Sequence, residues 1–166
     1  MPWTFVRPRD ATLLAARPLL DLGTGDGQTL RALVEPGGLI VGVDRSVAPM
    51  RSVKRAGIHV AAAEAAHLPF FNGSFAVVLA GDLFHHLDDE ALPVVLAEIG
   101  RVMTDSGALI GWWYGEPGRP GVDAPRYPRS YEAIVSHFEG FGSVEPLDLI
   151  ETVDAGPPTA GIRARL

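Results

Sequence analysis

The stretch Pro18-Leu19-Leu20-Asp21-Leu22-Gly23-Thr24-Gly25-Asp26-Gly27-Gln28 organises the chain. The apolar run Leu19 to Leu22 reads as a buried strand. Glycines at 23, 25 and 27 read as a tight turn, and Gln28 to Val34 as the start of a helix. Such a turn needs glycine, because its backbone takes positive φ and lets a ligand approach where a Cβ would clash. The helix start adds free N–H groups suited to a carboxylate or a phosphate. The dinucleotide fingerprint is G-x-G-x-x-G. Here the third glycine comes one residue early and position 28 is Gln, so the pattern is acid-x-G-x-G-x-G.

A chain of 166 residues fits one domain, residues 1–166, with a real core. It is 47% hydrophobic and 20% charged, which is a globular balance. The formal net charge of −6 argues against nucleic acid, whose phosphates reward a basic surface. With no cysteine there is no disulfide, cysteine metal site or thiol nucleophile. No apolar run is long enough to span a bilayer and no basic-then-apolar leader opens the chain, so a cytoplasmic location is expected.

Residues 1–17 form an N-terminal arm with Trp3 and Phe5, in which Asp10 can cap a short helix before Pro18 stops it. The arm reads as packing, with a lid over a ligand as the alternative. Leu39 to Val43 is a continuous apolar run, as expected of a strand covered on both faces, and it ends in Asp44. In nucleotide-binding α/β folds an acid at the tip of the second strand accepts hydrogen bonds from ribose hydroxyls. The alternative is that Asp44-Arg45-Ser46 caps the next helix, a task that falls first to Ser46. That helix runs from Val47 to Ala56 and stops at Gly57. Ile58 to Ala62 is the third strand.

Then comes Ala63-Glu64-Ala65-Ala66-His67-Leu68-Pro69-Phe70-Phe71-Asn72-Gly73-Ser74-Phe75-Ala76-Val77-Val78. This string of acid, Leu-Pro-Phe, polar turn and Ser-Phe-x-Val-Val, following the glycine turn, resembles the class I S-adenosylmethionine (SAM) dependent methyltransferases over about residues 18 to 113. Within that family the Leu-Pro-Phe signature resembles the small-molecule, UbiE-like branch, which acts on substrates such as quinone precursors and natural products. The resemblance implies that the Asp21 carboxylate and the Gly23-Thr24-Gly25 backbone hold the methionine part of SAM. It implies that Asp44 holds the ribose and that Arg45 lies beside the adenine. Glu64, one methylene longer than the usual Asp, accepts from the adenine amino group with the Ala65 N–H nearby, and Ala80 lines the cavity. Ala76 stands where the family usually has an acid, with an effect expected on stability more than on binding.

Leu79 to Asp89 ends the fourth strand and begins a loop over the expected methyl group. Asp82, His85 and His86 are the candidate proton acceptors there, with packing as the alternative for the histidines. The adjacent histidines should diverge, and no metal is expected. Asp88 or Asp89 can cap a helix to Met103 whose apolar stripe is core, with Glu98 and Arg101 on its polar side. Thr104 to Gly107 should end that helix and Ala108 to Trp113 form strand five. Residues 114–129, rich in Gly and Pro, follow a strand's carboxyl end and so lie near an acceptor site. Trp113, Tyr114 and Tyr127 either line that site or cover the sheet edge. Ser130 can cap a helix with Tyr131, Ile134, Val135 and Phe138 inward. Ser143 to Ile150 should be an edge strand, because Pro146 cannot donate to a ladder. A final strand runs from Gly161 to Leu166, in which Arg163 and Arg165 sit oddly for an inner strand.

The expected fold is α/β: a doubly wound, mostly parallel seven-stranded sheet with helices on both faces and the last strand antiparallel. Periodicity supports the alternation of strand and helix; strand number and direction come from the resemblance. The expected function is methyl transfer from SAM to an acceptor, leaving S-adenosylhomocysteine, with a small molecule as the acceptor. Two alternatives stand beside it. One is a SAM-fold protein without catalysis acting as a binding or regulatory partner, its open site completed by a second subunit, a homo-oligomer or a macromolecular acceptor. The other is an NAD-dependent oxidoreductase, against which stand Gln28 and the lack of a Tyr-x-x-x-Lys pair.

Overall fold

The computed structural model describes residues 13–33, 38–55, 58–113, 127, 129–147 and 160–166. In chain order the elements are β1 (Leu19–Leu22), α1 (Gln28–Leu33), β2 (Ile40–Asp44), α2 (Val47–Arg55), β3 (His59–Ala62) and β4 (Phe75–Gly81). A 3₁₀ turn (Phe84–His86) follows, then α3 (Ala91–Val102), β5 (Met103–Trp113), α4 (Tyr131–Val135), β6 (Ser143–Pro146) and β7 (Ala160–Arg165). The strands form one seven-stranded sheet in the order β3-β2-β1-β4-β5-β7-β6. The first five strands are parallel. β7 lies antiparallel between β5 and β6. The chain winds outward from β1 to β3, then returns to place β4 on β1's other side. That reversal opens a crevice beyond the carboxyl ends of β1 and β4, where ligands bind in open α/β sheets.

Side chains alternate across the sheet, so two apolar clusters form, one on each face. Leu20 and Leu22 of β1 join the stripe Leu92, Val95, Leu96, Ile99 and Val102 of α3. Leu19 joins Leu30 and Leu33 of α1 and Val53 of α2 on the other face. The cap of α3 comes from Asp88, whose Oδ1 accepts the Ala91 N–H at 2.7 Å. Pro93 stands in the first turn, where no helical N–H is lost.

Three differences from expectation have local causes. β5 begins at Met103, directly after α3, because Met103 pairs with Phe75 before the register shifts to Val77 opposite Ala108. Arg163 is not orphaned, since β6 places Glu145 opposite it and the two side chains form an ion pair across the sheet's edge. Arg165 lies exposed opposite Ser143. Pro146 does sit in an edge strand, at its last residue. Asp10, the stop at Gly57, Tyr114 and residues 148–150 lie outside the described residues; of the helix predicted after Asp10, Leu13 and Leu14 are described and helical.

The Leu-Pro-Phe string is held by α3. Arg101 donates to the Leu68 carbonyl (3.1 Å), the Phe70 carbonyl (2.8 Å) and Asn72 Oδ1 (2.8 Å). The Leu68 N–H donates to Glu98 Oε1 at 2.6 Å. The Arg101 hydrogen bond, working against partial burial, holds the Glu98 carboxyl below its usual range. This strut anchors the segment that leads from Glu64 and Ala65 into β4.

Candidate active site

The glycine turn is built on β2. The Gly23 and Thr24 N–H groups both donate to the Val43 carbonyl, at 2.8 and 2.9 Å. Gly23, Gly25 and Gly27 have φ of +78°, +52° and +76°. The three glycines do different work. At Gly25 an added Cβ would meet nothing within 4 Å, so the backbone faces open space. At Gly27 it would lie 2.4 Å from Val53 Cγ2, so this glycine lets α1 pack on α2.

Asp44, at the tip of β2, holds the turn from the side. Its Oδ2 accepts the Gly25 N–H at 2.9 Å and its Oδ1 accepts the Ser46 N–H at 2.8 Å. A carboxylate has about four lone-pair sites. Each oxygen therefore retains acceptor capacity after these two bonds, enough for a pair of hydroxyl groups.

Asp21 is buried, and its Oδ2 accepts the Thr24 hydroxyl at 2.7 Å. Burial pushes its carboxyl up to about 6; the Thr24 hydrogen bond opposes the rise and the Asp44 charge adds to it.

Between these groups and the loop after β4 lies a cavity of about 350 Å³. That size falls within the range of small-molecule sites. Its walls come from four strand ends: Gly23 after β1, Asp44 and Arg45 after β2, Ala63 to Ala65 after β3, and Gly81, Asp82 and Leu83 after β4. His86 and Leu87 complete it. Asp82 has φ +56°, the left-handed region that a non-glycine residue seldom occupies. Its N–H donates to the Trp112 carbonyl at 2.9 Å.

The structure brings Gly23, Asp44, Arg45, Glu64, Ala65, Asp82 and His86 to one cavity. Thr24 and Gly25 reach it through the turn and the Asp44 bond, without lining it. Asp21 lies behind the turn. Two expectations are corrected. Ala80 is fully buried in the core, because strand alternation turns it inward, and Gly81 lines the cavity instead. The two histidines do not diverge: the tight 3₁₀ turn brings their ring centroids to 4.2 Å. His85 is buried and does not line the cavity, whereas His86 does. Among the described residues no group of three or more His, Cys, Asp or Glu side chains is placed to hold a metal.

One residue near the cavity carried no signal in the sequence. Arg129 lies outside every periodic segment, yet its side chain is only 7% exposed. It donates to the Leu87 carbonyl at 2.7 Å and to Asp89 Oδ1 at 2.8 Å. Trp113, expected either at an acceptor pocket or over the sheet edge, is fully buried and donates its indole N–H to the Arg129 carbonyl at 3.1 Å.

Comparison with known proteins agrees with this fold. The family pattern described as a methyltransferase domain matches residues 20–111. A relative from Mycobacterium bovis, an uncharacterized methyltransferase, is 30% identical over 160 residues, covering 84% of this chain. The chain spans 64% of that relative's length. A SAM-dependent methyltransferase from Methanosarcina mazei superposes with a TM-score of 0.77 at 15% identity, covering 98% of this chain and 99% of its own. One from Archaeoglobus fulgidus gives 0.71 at 19% identity, covering 95% and 90%. A Haloferax volcanii methyltransferase complex with the Trm112 activator gives 0.68 at 18% identity, covering 93% and 87%. With the glycine turn, the strand-end acids and the strand order in place, the chain belongs to the class I SAM-dependent methyltransferase family.

Proposed function

We propose that the cavity binds S-adenosylmethionine and that the domain passes its methyl group to a small-molecule acceptor. The observation that carries this reading is the Gly25–Asp44 pair: a backbone bend with open space beside it, tied to a carboxylate with spare acceptor capacity. The Gly23-Thr24-Gly25 backbone would hold the amino-acid part of the donor, with the Asp21 charge behind it. Asp44 would accept from the ribose hydroxyls. Arg45, Glu64 and the Ala65 N–H would take the adenine.

Bound SAM supplies a sulfonium-activated methyl group, so the chemistry asks little covalent help of the protein. What the chain contributes is alignment and exclusion of water. Leu83 and Leu87 give that part of the cavity an apolar wall. Asp82 and His86 line the same wall and are the groups able to accept a proton from an acceptor that must lose one. His85, buried behind them, supports the turn by packing.

Calorimetric titration with SAM and, separately, with NAD tests the binding half. Heat with SAM and none with NAD is expected; the reverse would overturn the assignment. Turnover is tested by following S-adenosylhomocysteine release from the protein supplied with a small-molecule extract.

A second reading draws on the Haloferax complex, in which a protein of this fold was solved with an activator. On that reading this domain binds SAM but needs a partner subunit to act. SAM binding without turnover on any small-molecule pool would favour it.

A further inference from the structure

We infer that Arg129 is a positioning residue: it latches the loop after β4, and through that loop sets His86 and Leu87 against the cavity. The inference rests on the reading above only in taking this cavity as the ligand site.

The loop from Asp82 to Asp89 supplies four cavity-lining residues, Asp82, Leu83, His86 and Leu87. At its ends the loop is tied to β5 by the Asp82 N–H on the Trp112 carbonyl at 2.9 Å and to α3 through Asp88, while the turn between them carries the short-range bonds His86 N–H to the Leu83 carbonyl at 2.9 Å and Leu87 N–H to the Phe84 carbonyl at 3.3 Å. A single 3₁₀ turn of this kind is weakly held by itself. The middle of the loop is also tied down by the segment that precedes α4. The Tyr127 N–H donates to the His85 carbonyl at 2.7 Å. Two residues on, the Arg129 guanidinium grips the Leu87 carbonyl and the Asp89 carboxylate. Its own carbonyl is held by Trp113 at the end of β5. Ser130 then caps α4, its hydroxyl accepting the Ala133 N–H at 3.2 Å. Arg129 thus joins β5, α4 and the cavity loop at one point.

Charge and burial show that this placement is not driven by a simple ion pair. The Arg129 side chain is buried, while its partner Asp89 is 86% exposed. A cation taken out of water against a solvated carboxylate recovers little of its hydration. The bond that uses the buried geometry is the one to the Leu87 carbonyl, a backbone atom inside the cavity loop. A fork of fixed donors can hold a carbonyl and a carboxylate at once, which a lysine cannot reproduce.

The experiment compares wild type, Arg129→Ala and Arg129→Lys by hydrogen exchange and by NMR of the His86 ring. With Arg129→Ala, amide exchange at His86 and Leu87 should speed up at least about tenfold, as expected of local opening. Core amides at Leu20 and Val78 should keep their rates. The His86 ring resonances should respond to S-adenosylhomocysteine in wild type and lose that response in Arg129→Ala. Millimolar guanidinium should restore it, and Arg129→Lys should restore it only in part. Unchanged exchange at His86 and Leu87, or an equal rise across the core, would overturn the inference. So would a His86 response that Arg129→Ala leaves intact. If S-adenosylhomocysteine fails to bind wild type, the functional reading falls, while the exchange comparison still decides whether Arg129 latches the loop.

Discussion

The Gly25 N–H donates to Asp44 Oδ2 at 2.9 Å, across 19 residues of sequence, and this bond joins the two halves of the proposed donor site. It fixes the bend after β1 against the tip of β2. Each partner depends on the other for its position.

Removal of the carboxylate should therefore have two effects. Asp44→Ala leaves the Gly25 and Ser46 N–H groups without this acceptor and removes the ribose contact. SAM affinity should weaken by about 1–3 kcal/mol, the cost of leaving polar partners unpaired. Titration calorimetry reads the affinity, and an unchanged value would take Asp44 out of the site.

Two glycines in the same turn should fail in opposite ways. Gly25→Val puts a side chain into open space at φ +52°, costing about 1–2 kcal/mol in backbone strain but blocking the ligand. Gly27→Ala carries the same kind of backbone strain at φ +76° and also drives a Cβ into Val53, which adds about 1–3 kcal/mol of lost stability by overpacking. Folded at low temperature, the Gly27 variant should still bind SAM. Thermal melts set beside titrations separate the two.

Asp21 makes stability depend on pH in an unusual direction. Its folded carboxyl titrates at about 6, against 3.8 unfolded. Between those values the folded state keeps a proton that the unfolded state has released. Stability therefore falls as pH rises through that window, by about 3 kcal/mol for this group alone. Asp21→Asn should flatten the dependence and stabilise the ligand-free protein at neutral pH. A cationic donor beside the turn favours the ionised form, so SAM affinity should rise with pH through about 6 and lose that rise in the variant. Urea melts and titrations across the range check both signs.

Asp82 holds a left-handed backbone at the mouth of the cavity. Asp82→Gly should relieve that conformation while removing what the carboxylate holds. It should also lower methyl transfer to any acceptor the extract assay finds. Methyl transfer that Asp82→Gly leaves unchanged would take Asp82 out of the site.

Asp21, the three glycines and Asp44 were legible from residue order alone, because a strand, a side-chain-poor bend and a strand-end acid are local features. The apolar stripe of α3 follows from periodicity and the burial of β1 from its unbroken apolar run, while the edge position of Pro146 follows from its missing N–H. The sequence also carried the family resemblance, which supplied the strand count. Tertiary structure decided the rest. Which of Ala80 and Gly81 faces the cavity depends on the phase of β4 where it ends. His85 and His86 keep their rings 4.2 Å apart in the 3₁₀ turn, yet one is buried and the other reaches the cavity wall. Arg163 finds Glu145, and Arg101 finds the Leu-Pro-Phe carbonyls, across separations that no local pattern encodes. Arg129 is the clearest case: a lone arginine in a loop reads as a solvated charge until the fold closes β5, α4 and the cavity loop around it. Local conformation is written in neighbouring residues, but burial and partnership are set by which distant segments the sheet brings together.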